Sequence, residues 1–313
     1  MKPSISVCIP TYQRPHLLKE AIYSVIEQTL QPIEIVIGDD SRDDITENMV
    51  LDIEKECKIP IIYNRHSPSL GQAKNINYIY EIAKGNKIVL LHDDDLLLPN
   101  ALADLNNCWD LHPNLVAAYG NQYIISEEGE IDIEHSASLN KMFFRTEDRA
   151  GLQKSSIEAS ILHQFPNDCF MILASAAKSI KWRSYEEVGN GGEFDFSLRL
   201  GCAYSNFFFL NKYTAKYRLS SVSMSKSSND DAAAQSFNII LNTNVLEELS
   251  WAKDYELKRE APIAIAQLTN LGKRKEALDI YFSKYHPLSR RLSLGGIRRL
   301  LKAFLPISIG KLI

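Results

Sequence analysis

Cysteine is scarce: Cys8, Cys57, Cys108, Cys169 and Cys202 make an odd set of five without close pairs or metal-type spacing. That excludes a disulfide framework and a cysteine-based metal site, and reads as small buried residues in a reducing compartment. Long apolar runs are missing too. Nothing approaches the length that spans a bilayer, and the opening Met-Lys-Pro-Ser-Ile-Ser-Val lacks the apolar segment of a secretory leader. The expected location is cytoplasmic. Nor is there a basic excess: 35 Lys+Arg against 39 Asp+Glu leave a net charge of −4, which argues against nucleic acid as a partner. The glycine cradles for phosphate are absent as well. There is no G-x-x-x-x-G-K-[ST], and Gly189, Gly191 and Gly192 lack the last glycine of G-x-G-x-x-G. A nucleotide bound here needs carboxylates and a metal to hold its phosphates.

With 313 residues, 45% of them apolar and 24% charged, the chain can build one large globular domain, or a large and a small one. Short β-rich runs and helical patterns alternate through its first part. Strands are predicted at Ile5–Ile9, Ile33–Ile37, Ile59–Tyr63, Lys87–Leu91, Leu115–Tyr119 and Gln122–Ser126, and helices at Pro15–Gln28, Ile45–Cys57, Gln72–Ala83 and Asn100–His112. This order implies right-handed βαβ crossovers and an α/β fold with a mostly parallel sheet flanked by helices, which binds ligands at the carboxyl ends of its strands. From Ile131 to Gly192 the pattern weakens, with one helix predicted near Gln153–Leu162. A helix at Glu193–Leu200 and a strand at Phe207–Tyr217 follow, and beyond Asp230 the pattern is helical: Ala232–Trp251, Ala261–Leu271 and Lys275–Tyr285. The Ser-rich stretch Ser220–Ser228 marks the domain edge, giving domains 1–225 and 226–313.

The run Val89-Leu-Leu-His-Asp-Asp-Asp-Leu-Leu-Leu-Pro99 places three adjacent carboxylates, Asp93, Asp94 and Asp95, at a strand end. Like charges beside leucines repel and are costly to desolvate, so a hard divalent cation such as Mg²⁺ or Mn²⁺ suits them. A solvated acidic turn capping the helix at Asn100 is the other reading of the triplet alone. Asp39-Asp40 sits at a second strand end.

Six segments, in order, resemble the family 2 glycosyltransferases of GT-A fold. They are Val7-Cys-Ile-Pro-Thr-Tyr-Gln-Arg14; Ser24-Val-Ile-Glu-Gln-Thr29; Ile35-Val-Ile-Gly-Asp-Asp-Ser41; Gly71-Gln-Ala-Lys-Asn75; His92-Asp-Asp-Asp-Leu-Leu-Leu-Pro99; and Gly192-Glu-Phe-Asp-Phe-Ser-Leu-Arg-Leu200. The resemblance covers roughly the first 225 residues. It implies an inverting enzyme that moves a sugar from a nucleotide-diphosphate sugar, a UDP-sugar first, to a hydroxyl of a glycan or lipid-linked acceptor in surface-polysaccharide synthesis. Mn²⁺ or Mg²⁺ would be the cofactor.

The same resemblance assigns residues. Pro10, Thr11, Tyr12 and Arg14 belong to the segment around the donor nucleotide, with Tyr12 either stacking on the base or covering the sheet edge. Asp39 and Asp40 accept hydrogen bonds from base and ribose, a task for acceptor-only groups; capping the next helix is their alternative. Lys74 and Asn75 lie near the diphosphate, where a lysine acts as a point charge; a solvated helix face is the alternative for Lys74. Asp94 is the first choice of metal ligand, Asp93 contacts ribose or the metal through water, and His92 stands where an aspartate is usual. Glu193, at a position more often Asp, is the general base that takes the acceptor's proton, with Asp195 as fallback. Tyr217-Arg218 with Ser223 and Ser225 resembles a segment closing over the diphosphate, although Ser220 replaces the histidine often found there.

The C-terminus stands apart in charge. From Ile280 onward there are seven Lys/Arg and no Asp or Glu, leaving 28 basic against 39 acidic residues upstream, a net −11. Ile297, Leu300, Leu301, Phe304 and Leu305 form an apolar stripe beside Arg298, Arg299 and Lys302. Such a helix either rests on anionic lipid at the inner face of the membrane or docks on its own domain with a solvated basic face. The departures His92, Glu193 and Ser220 leave a second reading, a catalytically silent nucleotide-binding module of the same fold. A nucleotidyltransferase is a third, and Pro10–Pro15 lacks the glycine- and lysine-rich loop it needs.

Overall fold

The computed structural model describes residues 4–219 and 230–304. The chain divides into two compact units: Met1–Ser184 with Phe196–Ser220, and Tyr185–Asp195 with Ser221–Ile313. The boundary expected at 225/226, together with Ser220, Ser223, Ser225 and Leu305, lies outside the described residues.

The first unit opens with β1 (Ile5–Thr11), α1 (Pro15–Ile26), β2 (Glu34–Asp39), α2 (Ile45–Glu54), β3 (Ile61–Arg65), α3 (Gln72–Ile82), β4 (Lys87–Leu90), β5 (Leu96–Leu97), α4 (Ala101–Leu111) and β6 (Ala117–Ile125). It continues with β7 (Ile131–Asp132), α5 (Ile133–Met142), β8 (Gly151–Leu152), α6 (Ser156–Ile161), β9 (Met171–Leu173) and α7 (Ala174–Ile180). After α8 (Tyr185–Val188), α9 (Gly192–Ala203) begins in the second unit and ends in the first, followed by β10 (Phe207–Arg218).

The strands form one mixed sheet in the order β3-β2-β1-β4-β9-β6-β10-β5, with β7 on β6 and β8 on β10. β3, β2, β1 and β4 run parallel, as do β6 and β10; β9 is antiparallel to both of its neighbours. Side-chain alternation on β1 explains the layers. Ile5, Val7 and Ile9 pack with α1, α2 and α4 on one face, and Cys8 packs with α3 and α7 on the other. With both faces covered, the inner strands read as unbroken apolar runs.

Four differences from the periodicity reading stand out. The two strands predicted around Gly120 are one, β6. There the glycine is not a turn but a close approach: a Cβ would lie 2.6 Å from the Lys212 carbonyl and the Thr214 side chain, on the bulged stretch of β10. Helix α5 carries no apolar stripe; its inward residues are Ser136 and Asn140, which bond the backbone of β6 at Ile124 and Gln122. In the second unit, α10 (Ala232–Asn242) stops well short of Trp251, and α11 (Ser250–Asn270) runs unbroken through Pro262. The proline leaves the Lys258 carbonyl without its helical partner, and Arg290 Nη1 donates to that oxygen. That arginine lies on α13 (Leu288–Arg291), between α12 (Arg274–Phe282) and α14 (Leu294–Phe304).

Candidate active site

In this sheet the carboxyl ends of β1, β2 and β4 lie side by side, so Thr11, Asp39 and the turn after Leu90 converge from distant sequence. Thr11 Oγ1 donates to Asp93 Oδ2 at 2.6 Å. Arg14, in the turn before α1, pairs with Asp93 Oδ1 at 2.5 Å and with Asp94 Oδ2 at 2.8 Å. A cation therefore sits on the first two carboxylates of the triplet, and it is a side chain of the protein itself. Asp93 and Asp95 are each 1% exposed, so the triplet is not a solvated turn; at the start of α4 the Leu102 amide donates to Gln28 Oε1 at 3.0 Å.

Burial raises the Asp93 carboxyl to about 6, partly countered by the Arg14 guanidinium. Asp95 is held well above the ordinary carboxylate range, first by burial and then by the negative neighbours Asp168 and Asp94. Its Oδ1 accepts from the Arg218 amide at 2.7 Å, while Oδ2 is buried without a hydrogen-bond donor among the described residues. His92, Asp94 and Asp95 each present a ligand atom within 4.8 Å of the others. One imidazole and two carboxylates, with an orphaned buried oxygen among them, fit a divalent cation. Asp93 is not part of that group. Its oxygens are committed to Thr11 and Arg14.

Behind the group lies a buried polar chain that sequence reasoning missed. Asp168, fully buried, accepts from the His92 amide at 3.1 Å and from Gln122 Nε2 at 3.3 Å. Gln122 Oε1 in turn accepts from Arg145 Nη1 at 3.1 Å. Burial lowers the Arg145 guanidinium to about 10, still protonated at neutral pH. Asp168 and Arg145 stand in the weakly patterned middle segment, where single polar residues carry no periodic signal. Arg218, 2% exposed, is bound by protein rather than aimed outward: Nε donates to the Asp94 carbonyl, Nη1 to the Glu127 carbonyl and Nη2 to Glu20.

The remaining sequence candidates separate by burial. Asp39 accepts from the Ser41 amide and the Tyr63 hydroxyl, and Asp40 accepts from the amides of Leu70 and Gly71, both at 2.9 Å. Neither caps α2. Asp40 instead anchors the loop entering α3, whose first turn carries Lys74 exposed and Asn75 buried against the Gly38 carbonyl. Pro10 is half-buried and Tyr12 exposed. Glu193 is half-buried in the first turn of α9 and belongs to the second unit, as does buried Asp195.

The sequence model described as "Glycosyl transferase family 2" matches residues 6–170, just over half of the chain. The chain belongs to this family. The transferase is 25% identical over 314 residues to the GalNAc(5)-diNAcBac-PP-undecaprenol beta-1,3-glucosyltransferase of Campylobacter jejuni, covering 97% of this chain and 94% of that protein. It is 30% identical over 141 residues to the UDP-Glc:alpha-D-GlcNAc-diphosphoundecaprenol beta-1,3-glucosyltransferase WfgD of Escherichia coli, covering 44% of this chain and 54% of that protein. Among solved structures, S. aureus TarS 1–349 in complex with UDP aligns over 95% of this chain and 88% of that one, with a TM-score of 0.60 and 18% identity. The mannosyltransferase PcManGT from Pyrobaculum calidifontis, with GDP-Man and Mn²⁺, aligns over 97% and 87%, with a TM-score of 0.60 and 14% identity. These likenesses establish a GT-A glycosyltransferase fold. Family and fold together make the chain a glycosyltransferase and set the silent-module reading aside.

Proposed function

We propose that this transferase moves a sugar, with inversion, from a uridine-diphosphate sugar to a hydroxyl of a polyprenyl-diphosphate-linked glycan, with Mn²⁺ at His92, Asp94 and Asp95. The observation that carries the reading is that cluster, at the ligand-binding edge of the sheet. Two relatives named as acting on undecaprenyl-diphosphate glycans support the acceptor class. An imidazole in the set favours Mn²⁺ over Mg²⁺, which prefers oxygen ligands and keeps its waters.

When bound, the metal supplies positive charge against the diphosphate leaving group as the glycosidic bond breaks. The chain's own residues do the rest. Tyr12 and Asp39-Asp40 take the nucleoside side, and Lys74 adds a point charge toward the phosphates. Arg14 keeps Asp93 and Asp94 from repelling each other. Glu193, by its place in the family motif, accepts the proton of the acceptor hydroxyl as that oxygen attacks the face opposite the leaving group. The test is release of nucleoside diphosphate from UDP-glucose, UDP-N-acetylglucosamine and GDP-mannose with Mn²⁺. Asp94→Ala is expected to lower turnover by about a hundredfold or more; equal turnover in both proteins refutes the metal role.

Peripheral membrane contact through the tail forms part of this proposal. Helix α14 packs on α11–α13 with Gly296 and Ala303 buried, and a Cβ on Gly296 would collide with the carbonyls of Arg290 and Arg291. The small residues thus face inward, and the apolar stripe faces out: Leu294 is 90% exposed and Phe304 64%, beside exposed Ile297 and Leu301. An outward apolar stripe flanked by Arg298, Arg299 and Lys302 supports a helix lying on anionic lipid. No helix of the described residues is long and apolar enough to cross a membrane. Deleting everything after Arg291 should abolish co-sedimentation with phosphatidylglycerol vesicles, and unchanged binding refutes this part.

A further inference from the structure

Asp231 is the N-cap residue of α10, yet its carboxylate makes no capping bond to its own helix. A buried aspartate at this position ordinarily satisfies the amides of its own first turn. Here Oδ1 accepts instead from the main-chain amide of Asn190 at 2.9 Å, and Oδ2 accepts from Gln235 Nε2 at 2.8 Å. Asn190 is the middle of Gly189-Asn190-Gly191, the turn that delivers the chain into α9 at Gly192, one residue before Glu193.

Both glycines are required by this seat. Gly189 has φ +55, and a Cβ there would stand 2.7 Å from Asp231 Oδ2; a Cβ on Gly191 would stand 2.8 Å from Gln235 Cβ. The turn therefore lies directly on the start of α10. That start is itself braced from α11, where Gln267 Nε2 donates to Asp230 Oδ2 at 2.7 Å and Gln267 Oε1 accepts from the Ala234 amide at 3.0 Å. All of these residues lie in the second unit.

We infer that Asp231 is a positioning residue for the general base: it gives up capping its own helix to fix the glycine turn that sets the backbone of Glu193. This deepens the proposed function and rests on Glu193 being the base. The C-terminal helices thereby serve the reaction as the support of the base-bearing segment. Displacing a base by about 1 Å costs on the order of a hundredfold in rate without altering donor affinity.

The test pairs a measurement independent of any substrate with a kinetic one. Hydrogen exchange of the 186–194 segment is followed in the full-length native protein, Asp231→Ala and Asp231→Asn. Asp231→Ala should exchange at Asn190 about tenfold faster, with the 85–98 segment unchanged, because one charge-assisted bond is removed. Asp231→Asn keeps an acceptor oxygen and should restore most of the protection. With UDP-glucose or UDP-N-acetylglucosamine and Mn²⁺, Asp231→Ala should lose kcat by about tenfold or more at unchanged donor KM. Should Asp231→Ala fail to fold, Gly189→Ala places a methyl against the same carboxylate and gives the same readouts. Native exchange in these variants overturns the inference whatever Glu193 does, and so does an equal loss of kcat and donor affinity. Full turnover in Glu193→Gln overturns the base assignment, and with it the purpose assigned to the turn.

Discussion

The Arg218 guanidinium donates through Nε to the main-chain carbonyl of Asp94, 2.9 Å away and 124 positions earlier in the chain. The same residue gives its amide to Asp95 Oδ1 and its Nη2 to Glu20 on α1. One residue at the end of β10 thus ties the acidic turn to a helix and to its own strand. In sequence Arg218 belongs to a segment that resembles one closing over the diphosphate; here its side chain clamps the turn that carries the proposed metal ligands.

Removing that clamp should loosen the turn and leave partly buried carbonyls without their donor. Arg218→Ala is expected to lose about 2–4 kcal/mol of stability, because buried donors and a partly buried ion pair disappear together. Mn²⁺ affinity should fall about tenfold, the usual effect of losing a residue that orients metal ligands. Arg218→Lys restores one donor at most and should recover little. Denaturant titration and the paramagnetic resonance signal of free Mn²⁺ check the two parts separately.

His92 and Asp93 should part company in the same metal titration. His92→Ala removes a member of the cluster and is expected to weaken Mn²⁺ binding about 10–100-fold. Asp93→Asn removes one of the two ion pairs of Arg14 but leaves all three cluster residues in place, so Mn²⁺ affinity should stay near native. The reverse order would place the cation on Asp93.

A double-mutant cycle tests the repair of helix α11. Arg290→Ala strips the Lys258 carbonyl of its donor and should cost about 1 kcal/mol. In a Pro262→Ala background the restored amide can take over, so the same change should cost close to nothing. Equal costs in both backgrounds would show that Arg290 acts by packing alone.

His286 gives a pH signature in the second unit. It is fully buried, its Nδ1 lies 3.3 Å from the Tyr281 carbonyl, and burial lowers its pKa, aided by the nearby cations Arg299, Arg291 and Arg290. Folded and neutral but protonatable when unfolded, it contributes stability that is present above its unfolded pKa of about 6.5 and lost as pH falls below that value. His286→Phe should flatten that acid-side decline in thermal unfolding, relative to the native protein.

The strand ends and the order of the motifs could be read along the chain because apolar alternation and the carboxylate runs are local. Thr11, Asp39 and Asp93 needed only the rule that parallel strands bring ligands to their carboxyl ends. Helix α5 stayed invisible because Ser136 and Asn140 bury by hydrogen bonding and leave no hydrophobic period. The passage of α11 through Pro262 was hidden because its compensation comes from Arg290, 28 residues away.

By itself the sequence determined the α/β architecture, the edge of the sheet that carries the proposed site and the residue types available there, since all three follow from short-range pattern. Tertiary structure alone decided their division of labour. It committed Asp93 to Thr11 and Arg14, grouped His92 with Asp94 and Asp95, turned Arg218 inward and sent the Asp231 carboxylate to another segment's backbone. Which oxygen is left for a ligand depends on which buried donors reach it first, and those donors come from segments far apart in the chain.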